Sequence, residues 1–299
     1  MKSMKAYSSI LLAPVLSACL VFFAAPVEAA PGLEGWHQDV YAALEEAREK
    51  DAMILVDLYA DWCGWCRTLE EKVFSHERFE KYADDKKFVL LRVDTEDGGQ
   101  GTMLQTRYRA HSLPTTLILN PKMEKVGAIS GFAPVETFVS YIDQQLNAWQ
   151  ILLANYELVL KEGEAHLQRD LAKDFHERGA GAKAAALYDS VLSKVQTGTS
   201  AEAWLQYLSA DAHRIGGDFE KAGARLQAVR KAMEKLPEDK KLVEQADLLS
   251  FYIAQDAGDC QQAVHSIESF LSAHPRSLLR RELQKTLRDL KAGDNPACA

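Results

Sequence analysis

The sequence predicts an α/β layered domain followed by an all-α domain of helical hairpins. Two short, nearly unbroken apolar runs, Ile54 to Ala60 and Phe88 to Val93, read as strands covered on both faces. The segments around them carry apolar residues at helical spacing instead. From about Ala148 onward proline and β-branched residues thin out while Ala, Leu, Gln, Glu and Lys dominate, which predicts helix throughout. A chain of 299 residues has room for about two domains at roughly 100 to 200 residues each.

The first 29 residues stand apart from the fold. Lys2 and Lys5 precede an uncharged stretch from Ala6 to Val27, and Val27-Glu28-Ala29 offers small residues where a signal peptidase reads. Cleavage after Ala29 is one reading. "LSAC", Leu16 to Cys19, resembles a lipobox and makes lipidation of Cys19 a second, although Leu20-Val21-Phe22-Phe23 continues the apolar run where a tether turns polar. An uncleaved anchor is a third, because about 20 apolar residues can span a bilayer. All three export the chain, so the expected compartment is periplasmic or otherwise extracytoplasmic and permits disulfides. The remaining chain divides into residues 30–147 and 148–299.

A composition of 47% hydrophobic and 26% charged residues is that of ordinary globular protein. The formal charge of -8 supplies no basic footprint for nucleic acid or an anionic membrane surface.

Val40, Leu44 and Ala47 predict an opening amphipathic helix. The strand from Ile54 follows, with Asp57 as its one charged residue. Trp62, Cys66, Leu69 and Val73 fall on one face of the next helix, which sets Cys63 and Cys66 at a strand-to-helix junction and packs Trp62 against the sheet. After the strand to Val93, Asp97 to Gly101 reads as a turn, since it lacks the spacing and the Lys-Ser/Thr of a phosphate loop. A helix to Tyr108 comes next. Thr115–Leu119 and Lys125–Ser130 then form a hairpin around Asn120-Pro121, and Val135, Phe138, Val139 and Ile142 stripe a closing helix. Parallel strands joined by helices and finished by an antiparallel hairpin make a small layered domain.

Here a resemblance becomes specific. From about Trp36 to Leu146 the chain resembles the thioredoxin superfamily, with "DLYADWCGWC" and "YRAHSLPTT" similar to its motif pair. "ADWCGWCRTLEEKVF" with "VDTED" resembles, within that superfamily, the C-terminal periplasmic domain of the membrane thiol:disulfide interchange proteins and their free-standing relatives. The likeness does not reach the second half of the chain.

The resemblance implies a thioredoxin fold, a redox-active Cys63–Cys66 disulfide, protein disulfides as substrates and a membrane thiol-electron donor as a candidate partner. The residues support that chemistry. Only a thiolate attacks a disulfide, and Cys63 sits where unpaired N–H groups and the positive end of a helix stabilise it. Cys66, three residues on, lies about 5 to 6 Å away on the same face and is the more buried, resolving thiol. Zinc would need two further ligands, and neither a second Cys-x-x-Cys nor a closely spaced pair of histidines is present. An inert staple is disfavoured because so short a loop removes little chain entropy. No metal or cofactor is expected.

Asp57 stands where thioredoxins carry a buried acid. Desolvation would raise its pKa and fit it to take the proton of Cys66, whereas a partly wet face formed with Leu55 and Tyr59 would leave it merely solvated. Leu113-Pro114 matches the family's cis-proline, which offers backbone groups to substrate. Trp65, between the cysteines, is expected exposed as an apolar contact for partner chains. His111 near the same loop reads as an exposed histidine at least as well as a residue tuning Cys63.

A weak repeat organises the second half. Gly179, Gly217 and Gly258 each precede an alanine by five residues, and Tyr188, Leu226 or Ile267 follows four further on. The glycine spacings of 38 and 41 exceed the tetratricopeptide period of about 34, so degenerate tetratricopeptide-like hairpins are expected, with a partner protein on the concave face. A plain helical bundle is the other reading. Cys260 and Cys298 are expected to pair and staple the tail, or else to stand independently.

The sequence thus points to an exported thiol-disulfide oxidoreductase, a reductase of protein disulfides. Gly64-Trp65 lacks the proline-histidine pair of strongly oxidising relatives. A disulfide oxidase or isomerase is the alternative within enzymes, and a non-catalytic adaptor the alternative outside them.

Overall fold

The structure, a computed structural model, describes residues 33–235 and 239–292. The expected secretion signal with Cys19 and Ala29, and Cys298 in the tail, lie outside the described residues.

Four strands, β1 (Ile54–Tyr59), β2 (Val89–Asp94), β3 (Thr115–Leu119) and β4 (Lys125–Ser130), form one sheet in the order β2-β1-β3-β4. β1 pairs parallel with β2 and antiparallel with β3, and β3 pairs antiparallel with β4. Both faces are covered. Side chains alternate across a strand, so Ile54, Val56 and Leu58 pack beneath α1 (Val40–Lys50) and α4 (Gln100–Arg107). Leu55 and Ile118 point the other way, against α2 (Gly64–Leu69), α3 (Glu77–Lys86) and α5 (Val135–Glu162).

Two local expectations are corrected. The helix expected to run through Trp62 to Val73 starts only at Gly64, because Cys63 has the extended backbone of an N-cap. It then loosens into a π-helical turn, Glu70–Phe74. Trp62 therefore falls outside the helical repeat and is 69% exposed instead of packing on the sheet. The sequence reading also missed α3, whose N-cap is His76 and whose Phe79 and Ala83 bury at helical spacing.

The second half is helical: α6 (Ala165–Glu177), α7 (Gly181–Leu192), α8 (Ser200–Ile215), α9 (Phe219–Met233), α10 (Lys240–Asp256), α11 (Cys260–Ala273) and α12 (Arg280–Ala292). Consecutive members pack as hairpins α6/α7, α8/α9 and α10/α11. Gly179, Gly217 and Gly258 sit in the three turns with φ of +75°, +80° and +73°. Each closes a Schellman cap. The Gly217 N–H donates to Arg214 O and the Asp218 N–H to His213 O, and the other two glycines repeat the pattern. The repeat alanines, Ala184, Ala222 and Ala263, are fully buried where the second helix of each hairpin approaches its neighbours.

The two halves share a core. α5 runs through position 147 without a break, and its Trp149 packs edge-on against Phe175 of α6, ring centroids 6.0 Å apart. Arg178 ties the first hairpin to the outer strand: its backbone O accepts from Lys125 N at 2.7 Å, and its Nη1 donates to Val126 O at 2.9 Å. These bonds cover an edge that would otherwise offer unpaired backbone groups.

Candidate functional site

β1 ends at Tyr59, and four residues later Cys63 caps α2. Cys63 Sγ accepts from Cys66 N at 3.1 Å, so the first turn of α2 presents an orphan N–H to that sulfur. Cys63 and Cys66 are disulfide-bonded with Cα atoms 5.2 Å apart, and both are buried. Leu113 packs against the pair, and the Leu113–Pro114 peptide is cis. Pro114 O accepts from Gly131 N at 2.9 Å, which holds this loop to the end of β4.

Beyond Gly131, Phe132 stacks with Trp65 at 6.1 Å between centroids, and Trp65 stays 63% exposed. Trp62 on the other flank of Cys63 donates Nε1–H to Glu96 Oε1 at 2.8 Å. Each buried cysteine thus directly follows an exposed indole in the chain. His111 is exposed, and its side chain makes no hydrogen bond or ion pair among the described residues.

Asp57 is wholly buried on the α2 face of the sheet. Its register partners are Arg92 on β2 and Thr116 on β3, so the three form a polar row across the sheet. Arg92 Nε stands 3.5 Å from Asp57 Oδ2 without hydrogen-bond geometry, and its Nη2 reaches Glu70 Oε2 at 2.8 Å. The guanidinium also lies over the Tyr59 ring, 4.1 Å from its centroid. Neither oxygen of Asp57 accepts a hydrogen bond from the described residues. Burial pushes the Asp57 carboxyl up to about 7; Arg92 pulls it down and Glu70 pushes it up, but loss of solvent is the larger effect. A carboxyl poised there can exchange protons at neutral pH.

Arg92 and Glu70 did not emerge from the sequence reading. Arg92 is the one charged residue of "FVLLRV", just as Asp57 is of its own strand, and that shared anomaly was the available signal. Glu70 carried none, since it lies in the π-helical turn whose register differs from the α-helical repeat.

A thioredoxin-like family model matches residues 35–121. This region is a thioredoxin-like domain. Over 110 residues the chain is 31% identical to the thiol:disulfide interchange protein DsbD of Vibrio cholerae, a match covering 36% of this chain and 18% of that protein. Over 84 residues it is 34% identical to DsbD of Pseudomonas fluorescens, covering 28% and 14% respectively. The chain thus spans less than a fifth of the length of these relatives. Among solved structures, the oxidised C-terminal domain of Neisseria meningitidis DsbD aligns at 18% identity with a TM-score of 0.33, covering 37% of this chain and 98% of that one. A Thermus thermophilus thioredoxin aligns at 27% identity with a TM-score of 0.34, covering 36% of this chain and 84% of that one. Among the described residues no helix is long and apolar enough to cross a membrane.

Proposed function

We propose that the protein is an exported thiol-disulfide oxidoreductase that reduces protein disulfides through Cys63 and Cys66. The observation that carries the reading is the disulfide at the capped start of α2 with a buried carboxyl behind it whose pKa is about 7. The relatives, thiol:disulfide interchange proteins, support the same chemistry for the thioredoxin-like domain.

In the reduced protein the Cys63 thiolate attacks one sulfur of a client disulfide; a mixed disulfide forms and the first client thiolate leaves. Cys66 then loses its proton to Asp57 and attacks Cys63 Sγ. The mixed disulfide breaks, the second client thiolate leaves, and Cys63–Cys66 is restored. Two electrons pass from the dithiol to the client, and a thiol donor, proposed to be membrane-borne, reduces the pair again. Trp65, Leu113 and Pro114 border the sulfurs and are assigned to the client chain.

The direction of transfer rests on the Gly64-Trp65 dipeptide and on Asp57. The reduction potential of the pair against glutathione tests it. A value near the roughly -270 mV of thioredoxin fits a reductase, whereas one above about -160 mV makes the protein an oxidant. Insulin reduction by the mature chain tests the activity itself; no turnover, with the cysteine pair locked or inaccessible, would favour the non-catalytic adaptor.

A further inference from the structure

Between α4 of the thioredoxin-like domain and the ends of α6, α8 and α10 lies a cleft of about 910 Å³. The Schellman turns bring those three helix ends to one wall, because each hairpin reverses at an equivalent glycine. Many of the charges on that wall are spent on one another. Arg214 donates to both Asp211 and Asp256, and His176 bonds Asp211 Oδ2 at 2.9 Å. The Asp211 carboxyl is pushed up by burial, but the hydrogen bond from His176 and the charge of Arg214 outweigh this and hold it below the usual carboxylate range.

Two charged groups, one from α4 and one from α6, form no ion pair with any other described residue lining the cleft. Arg107 of α4 lies 5.7 Å from the centroid of the Tyr108 ring and has no ion pair among the described residues. Glu177, at the end of α6, has one ion pair among the described residues, with exposed Lys173 of its own helix at 3.9 Å, and its charge also acts on Lys125 of β4. Met103 adds an apolar surface that is 40% exposed. A simple anion would meet Glu177 and a simple cation would meet Arg107. A polypeptide segment can satisfy both, together with Met103.

We infer that this cleft docks an extended segment of the client polypeptide, with a basic side chain toward Glu177, a carboxylate or backbone carbonyl toward Arg107 and an apolar side chain on Met103. That the segment belongs to a client rests on the oxidoreductase reading; the docking does not. Tyr108, which lines the cleft, and Pro114 are six residues apart in sequence, which at about 3.3 to 3.6 Å per residue keeps that edge of the cleft within roughly 22 Å of the cis-proline. A segment docked there would need only a short run of residues to bring its disulfide to Cys63.

The test uses the full mature chain and two fluorescein-labelled peptides of about twelve residues, long enough to cross the cleft at about 3.4 Å per residue. One repeats Lys, Leu and Asp; the other has Ser in place of the charged residues. Anisotropy should show the charged peptide binding more tightly than the Ser peptide, with Arg107→Glu and Glu177→Lys each weakening it about tenfold. Glu177→Gln should fall between wild type and Glu177→Lys. Binding indifferent to both charge reversals, or no binding, overturns the proposal. So does a wild-type dimer in sedimentation that Glu177→Lys dissociates, since the occupant is then a second copy. Turnover of bis(2-hydroxyethyl) disulfide by the wild-type chain checks the oxidoreductase reading separately. Its absence would remove that reading and leave the peptide result standing.

Discussion

The guanidinium of Arg92 stands 3.5 Å from the carboxylate of Asp57, its register partner across the parallel β1/β2 pair. The same guanidinium holds Glu70 at 2.8 Å, so one cation serves two acids behind the cysteine pair. Removing it should leave both acids without that charge. Arg92→Met is expected to raise the Asp57 pKa above its value of about 7, by about one unit or more. The carboxyl resonance of Asp57, followed by NMR across pH 5 to 10, reads the shift. An unchanged or lowered pKa would show that the arginine does not act on Asp57.

Asp57 also makes stability depend on pH. Its carboxyl titrates near 3.8 in the unfolded chain and near 7 in the folded one. Below the lower value both states hold the proton; between the two the unfolded chain releases it and the folded chain does not, so stability falls as pH rises through that window. Above the folded pKa the loss is complete, at most about 4 kcal/mol for a shift of roughly three units. Asp57→Asn should therefore be more stable than wild type at pH 8 and no more stable at pH 4, as read from urea midpoints. The same variant should slow resolution of the mixed disulfide more than initial attack, and equal losses in both would remove the proposed proton role.

The cysteine roles predict opposite phenotypes. Cys63→Ala should abolish disulfide exchange. Cys66→Ser leaves Cys63 able to attack but not to be released, so mixed disulfides with clients should accumulate. Non-reducing gels of a periplasmic extract passed over each Cys→Ser variant decide the matter. Capture by Cys63→Ser and not by Cys66→Ser would reverse the assignment.

A fourth expectation concerns the tail. Cys260 opens α11, and its proposed partner Cys298 lies outside the described residues. A bond between them would close a loop contributing on the order of 3 to 4 kcal/mol by the chain-entropy model. Mass mapping of the alkylated mature protein should find a Cys260–Cys298 linked peptide that survives mild reduction while Cys63–Cys66 opens. A free Cys298, or an intermolecular link through it, rules out the staple.

Local sequence determined what local physics controls. A strand of apolar residues, a helix after it and two cysteines three residues apart suffice to bring two sulfurs together at a helix start, because every distance involved spans one turn. The three turn glycines were legible for the same reason, since a left-handed residue at a helix end disfavours side chains within the turn itself. Asp57 and Arg92 were each visible as a charge in an apolar strand, but their meeting depended on the β1/β2 register, which no short window contains. Trp62 was misplaced because the helix begins one residue after Cys63. Glu70 joined the buried cluster from a π-helical turn, and Arg107 and Glu177 line one cleft only because Trp149, Phe175 and Arg178 lock the first hairpin onto the sheet. Side chains 70 positions apart are brought into register by packing over a whole shared core, and that burial is a property of the assembled chain and not of any segment of it.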